Sequence, residues 1–231
     1  MYSIVITNIF ELLAAITGTF YIRKYREDLS SRYFVYFLWL TVFVELVFGW
    51  LSICIEKIDF FSPLNTTVFV QNDWIYNIYD IVSFALLSFI IIRLYDNTNF
   101  KKASTLIAFL FLLFAIVNAS FSNEFYEGIV SLNFIFGSIL LLLLVILYFF
   151  QLLMSDKILD FYKMMTFYIS VGILVYHLTT TPIFIYWKYF SVSVSPKFVE
   201  IRQIFITIAN IFVYTCYTLG FWICLKKNKS Y

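Results

Sequence analysis

Long apolar runs alternate with short polar connectors along the 231-residue chain. A helix that crosses a bilayer needs about 20 mostly apolar residues. Seven runs meet that requirement, at approximately 2–22, 33–55, 74–94, 103–119, 128–152, 165–187 and 204–225. The runs are continuous rather than alternating, which argues against a membrane barrel. Lipid accepts only helices or closed barrels. The pattern therefore predicts an all-α, seven-helix transmembrane bundle. No connector is long enough to hold a folded domain, so residues 1–231 read as one unit.

Composition strengthens this reading. The chain is 62% hydrophobic and 13% charged, with a mean hydropathy of +0.89, whereas a soluble domain is about 25% charged. The formal net charge of +2 is small, and the basic residues are scattered through connectors rather than gathered in a patch, which argues against nucleic acid as a partner. Aromatic residues make up 23% of the chain. They read first as lipid-facing bulk and interfacial belts, and second as stacking surfaces around a ligand. The three cysteines, Cys54, Cys216 and Cys224, fall at different depths, beyond disulfide reach. They read as free, buried packing residues.

Charge bears on orientation. Counted over alternate connectors, Lys and Arg divide 12 to 4. The basic-rich side carries Arg23, Lys24, Arg26 and Arg32, and the positive-inside rule makes that side cytoplasmic. The expectation is an N-terminus outside, a C-terminus in the cytoplasm, and a multi-pass protein of a bacterial inner membrane. No positive stretch precedes the first apolar run, so that run reads as an uncleaved helix rather than a signal peptide.

Polar groups within spans are costly and are functional candidates by default. Here they are Glu11, Glu45, Asn77, Asp80, Asn118, Asn133, His177 and Asn210. At about 1.5 Å per residue, Asp80 lies about 9 Å below Trp74, and Glu11, Glu45 and His177 lie about 15 Å deep. The opposite half of the bundle has few comparable residues. This depth profile predicts an outward-opening polar pocket closed below by apolar packing. Asp73, Asn77 and Asp80 follow i, i+4, i+7 spacing and share a helical face, with Tyr76 on the adjoining one. The predicted pocket comprises Asp80, Asn77, Glu45, His177, Asn210 and Tyr76. A carboxylate so deep is paired, hydrogen-bonded or protonated, because an isolated buried charge is too costly. Asn118, Asn133 and Asn210, taken singly, also read as hydrogen-bonding links between helices. His177, the sole histidine, reads either as a ligand-contacting group or as a neutral partner of Glu45 or a tyrosine.

Several chemistries find no support. No lysine lies in the middle of a span, which removes a retinal-type Schiff base. One histidine is too few for a hydrolytic zinc site, and no metal or other cofactor is expected. There is no GxSxG and no GxGxxG. The short inner connectors argue against cytosolic catalysis, and a lipid-modifying enzyme that uses the outer carboxylates with water is the third reading, behind two non-catalytic ones.

Three stretches, WIYNIYD (74–80), SDKILDF (155–161) and FYISVGILVY (167–176), together resemble a group of small, uncharacterised seven-helix bacterial membrane proteins, some encoded beside sensor histidine kinases. The resemblance implies a sensory or kinase-partner role and carries over no site residues. The leading expectation is a membrane sensor or signalling subunit that binds an unknown small ligand and acts through a partner such as a sensor kinase. Asp156 and Lys157 would then be a cytoplasmic contact. A small-solute or proton-coupled transporter or channel is the alternative.

Overall fold

A computed structural model of the chain describes residues 2–186 and 196–227. Among these residues there is no strand. The helices are α1 (Tyr2–Lys24), α2 (Leu29–Val44), α3 (Trp50–Lys57), α4 (Asp73–Arg93), α5 (Thr98–Phe121), α6 (Glu124–Glu127), α7 (Ser131–Leu153), α8 (Met165–Ile185) and α9 (Pro196–Lys227). A π-turn, Glu45–Gly49, runs α2 into α3, so the two form one long span. Seven helical segments are then long and apolar enough to cross a membrane, as the hydropathy pattern predicts. Residue 187, at the predicted end of the sixth span, lies outside the described residues, as do Lys188 and Lys229 of the charge count.

Most helices extend past their apolar runs because polar residues can finish a helix that hydropathy cannot see. Asp28 caps α2, accepting from Ser31 N at 3.1 Å, Ser31 Oγ at 2.6 Å and Tyr21 Oη at 3.0 Å, which locks the α1–α2 turn. Asn97 caps α5, accepting from Asn99 N and Phe100 N, and starts it ahead of the apolar run. Pro196 opens α9, a position where the fixed φ of proline suits a first helical turn. Two connectors also prove helical, with 3₁₀ turns over Asp59–Thr66 and Asp156–Lys163.

Packing follows a ring. The helices touch in the order α1, α2, α4, α7, α8, α9 and back to α1, while α5 lies outside against α4 and α7. The ring closes because α1 and α9 run parallel: Gln203 Nε2 donates to Ser3 Oγ at one end (2.7 Å), and Lys24 Nζ donates to the Leu225 carbonyl at the other (3.2 Å). Association of helices in lipid depends on close packing rather than on hydrophobic burial. Gly137 and Gly172 supply it. A Cβ at Gly137 would stand 2.6 Å from the Phe84 ring, and one at Gly172 would stand 2.3 Å from the Tyr217 ring. On the outside, α5 presents Leu106, Ile107, Phe109 and Leu110, as a lipid-facing helix should.

The end of the ring away from the N-terminus is densely filled. Phe34, Leu38, Ile90, Ile91, Leu141, Ile169 and Phe221 are all fully buried there. Tyr95 adds a hydrogen bond to the Leu144 carbonyl at 2.7 Å; burial pushes its phenol up to about 12, so it remains a donor. All three cysteines are free. Cys224 is buried, with its thiol on the Lys163 carbonyl, whereas Cys54 and Cys216 are only half-buried.

Candidate functional site

The amino-terminal end of the ring is built differently from the filled end. A cleft of about 390 Å³ opens between α1, α9 and the π-turn. Ser3, Thr7 and Asn8 line it from α1, Arg202, Gln203, Thr207 and Asn210 from α9, and Glu45 from the turn. Further down, a cavity of about 90 Å³ lies inside the ring. Its wall comes from α2 (Phe37), α4 (Tyr79, Asp80, Ser83, Phe84, Leu87), α7 (Phe134), α8 (Ile173, Tyr176, His177) and α9 (Asn210, Val213, Tyr214, Tyr217). Asn210 lines both spaces. Its side chain makes no hydrogen bond among the described residues.

The structure distributes the sequence-predicted site residues over three places. Asp80, His177 and Asn210 share the inner cavity. Asp80 is half-buried and its carboxylate has no hydrogen-bond partner among the described residues; Tyr176 is its electrostatic neighbour. His177 is 4% exposed. Its Nδ1 lies 2.9 Å from Ser138 Oγ, and its ring packs between Phe84 and Phe134, with centroids 5.6 and 5.8 Å away. That leaves Nε2 without a partner among the described residues. Behind the histidine, Pro182 sits inside α8 and removes one N–H from the ladder, and the hydroxyls of Thr179, Thr180 and Thr181 bond back to carbonyls one turn earlier, which satisfies them within the helix.

Glu45 and Tyr76 form the second place. The Tyr76 hydroxyl donates to Glu45 Oε2 at 3.2 Å, and Glu45 also lines the cleft. The π-turn that carries Glu45 frees carbonyls from the regular ladder, and the amide of Asn72 donates to one of them, on Phe48, and to Ser52 Oγ. Single π-turns inside helices recur at functional sites.

Asn77 is the third. It is 3% exposed and grips the α6–α7 connection, donating to the Phe125 and Gly128 carbonyls at 3.0 and 2.9 Å and accepting from Val130 N at 3.0 Å. It lines neither the cavity nor the cleft. Asn118 and Asn133 likewise serve packing, with Asn118 Nδ2 on Asn133 Oδ1 at 2.8 Å and Asn133 Nδ2 on the Ala115 carbonyl at 3.0 Å.

Glu11, a candidate left out of the predicted pocket, faces the interior. It is 3% exposed, Oε2 has no hydrogen-bond partner among the described residues, and Glu45 and Tyr214 are its polar neighbours. The signal was an acid in the middle of an apolar run. Among the cavity tyrosines, Tyr79 shares the face of α4 that adjoins Asp80, whereas Tyr176, Tyr214 and Tyr217 are indistinguishable in sequence from lipid-facing aromatics. Tyr79 is fixed by Thr41, 2.7 Å between hydroxyls.

Lys157 pairs with Asp96 at 2.7 Å, tying the α7–α8 connector to the α4–α5 connector, and Asp156 beside it is exposed. Among the described residues no group of His, Cys, Asp and Glu has the clustering a metal ion needs. Comparison with protein families, curated proteins and solved structures finds no match.

Proposed function

We propose that this protein is a membrane sensor or signalling subunit whose pocket opens at the amino-terminal end of the bundle and whose output passes through a partner such as a histidine kinase. The observation that carries the reading is the position of Asn210, common to the cleft and to the inner cavity. Asn210 stands between the cleft and the cavity that holds Asp80 and His177, so a route past it would end against the packed aromatic and aliphatic side chains of the other end. A blind pocket suits ligand sensing. The positive-inside count supports a pocket mouth outside the cytoplasm and a C-terminus within it, as a bacterial inner-membrane protein would have. The exposed Asp156 and the Asp96–Lys157 pair then lie on the cytoplasmic side, within reach of a partner. Signal passage requires two states of the bundle that differ in ligand affinity, and the π-turn at Glu45 is the local irregularity best placed to separate them.

A transporter is the second reading, because Glu11, Glu45 and Asp80 are three acids within spans, and intramembrane acids serve proton relays. Gentle extraction from native membranes followed by affinity purification separates the two. A sensor subunit co-purifies with a cytoplasmic partner and gives no solute or proton flux in proteoliposomes. Flux abolished by Asp80→Asn, with the chain always recovered alone, replaces the sensor with the transporter.

A further inference from the structure

Charge within the ring is one-sided. Glu11, Glu45 and Asp80 sit in the spans, and no lysine or arginine is among the residues that line the inner cavity. The cleft above is balanced, with Glu45 and Arg202 on its wall. The cavity beyond Asn210 holds Asp80 as its acid, and that carboxylate has no partner among the described residues. An acid in such a place either takes up a proton or pairs with a cation.

The rest of the wall says which kind. A small inorganic cation wants several oxygen ligands at close range, carboxylates above all; beside its one carboxylate the cavity offers only neutral oxygens, of Ser83, Asn210 and the tyrosines. Rings make up most of the wall, among them Tyr79, Tyr176, Tyr214, Tyr217 and Phe84. Aromatic faces around an acid recognise alkylated ammonium groups, through cation–π attraction and apolar contact with the carbons. Size sets the limit. A cavity of about 150 Å³ takes benzene. One of about 90 Å³ takes an ion of roughly four heavy atoms.

Resting on the pocket reading above, we infer that the ligand of the Asp80 cavity is a small organic ammonium cation, of the size of methylammonium to trimethylammonium, paired with Asp80 and enclosed by the tyrosine rings. It enters through the cleft past Asn210. His177 is part of the same wall, held by Ser138, with Nε2 available to a ligand atom.

The test is thermal unfolding of the purified full chain in nanodiscs, titrated at constant ionic strength with trimethylammonium, methylammonium, potassium, acetate and tert-butanol, the last a neutral molecule of nearly the same shape as trimethylammonium. The expected result is a saturable rise in Tm with the two ammonium ions and none with the other three. Asp80→Asn is nearly isosteric and breaks no hydrogen bond, so it folds, and it weakens the ammonium response about tenfold or more. Glu27→Gln, which removes an exposed acid in the α1–α2 turn, changes it little. An equal rise with tert-butanol means an apolar cavity without charge recognition, and an equal rise with potassium means an inorganic cation site; either overturns the inference, as does no rise at all or an undiminished response in Asp80→Asn. Should the ammonium response fail while a cytoplasmic partner is still recovered, the ligand class falls and the signalling role stands.

Discussion

The Tyr76 hydroxyl donates to Glu45 Oε2 across 3.2 Å, and Gly49 lies against both: a Cβ there would stand 3.1 Å from each oxygen. The pair joins α4 to the π-turn, the one break in the regular ladder of the second span. Removing the donor leaves a half-buried carboxyl oxygen with no partner, which costs about 1–3 kcal/mol. Tyr76→Phe should therefore lower the unfolding temperature. Glu45→Gln in the same background should cost little more, because the two residues act as one unit and their effects do not add. Thermal unfolding of the two single variants and the double variant measures the coupling.

Asn77 and Asp80 are less than one turn apart on α4 and should behave in opposite ways. Asn77 satisfies three backbone groups of the α6–α7 connection, so Asn77→Ala orphans buried donors and acceptors and destabilises the fold by about 1–3 kcal/mol. Asp80→Asn removes a charge that no described residue pairs with, so stability stays level or rises. Denaturation of both variants in one detergent checks the contrast.

Two glycines hold open the space in which Asp80 sits. Gly137 accepts the Phe84 ring and Gly172 the Tyr217 ring, and both rings are cavity wall. An alanine at either place has to push its ring toward the cavity. Overpacking of this kind costs about 1–3 kcal/mol. Gly172→Ala should lose the ammonium response with Asp80 intact, and Gly172→Ala with Tyr217→Leu should regain part of the lost stability. Unfolding temperatures with and without trimethylammonium report both effects.

The Lys157–Asp96 pair is exposed on both sides, and exposed pairs contribute about 0–1 kcal/mol. Lys157→Ala should leave unfolding nearly unchanged. On the signalling reading it should reduce recovery of a cytoplasmic partner, as should Asp156→Lys, and quantitative co-purification distinguishes this from a surface with no partner.

Some of this architecture can be read directly from hydropathy and some cannot. The seven spans follow from segment length and apolar content, because a bilayer imposes both. Their ends do not, since Asp28, Asn97 and Pro196 extend or start helices with polar or neutral residues. Depth alone separates Asp80, at about 9 Å, from His177, at about 15 Å, yet both line one cavity with Asn210. Depth says nothing about azimuth, and that is why Asn77, a turn above Asp80 on much the same face by simple spacing, turns out to grip a connector whose backbone partners lie 48–53 residues away. The π-turn at Glu45 was invisible for a related reason: its enabling partner is Asn72, on the far side of a connector.

The most direct test of the account is whether Asn210 is reached from one face of the membrane only. Asn210→Cys, in a chain with Cys54, Cys216 and Cys224 changed to alanine, should react with a small membrane-impermeant thiol reagent added outside intact cells, and trimethylammonium should slow that reaction. In sealed inside-out vesicles the same residue should stay unmodified. Modification from the cytoplasmic face, or from neither face, would contradict a blind pocket that opens at the amino-terminal end of the bundle and leads to Asp80.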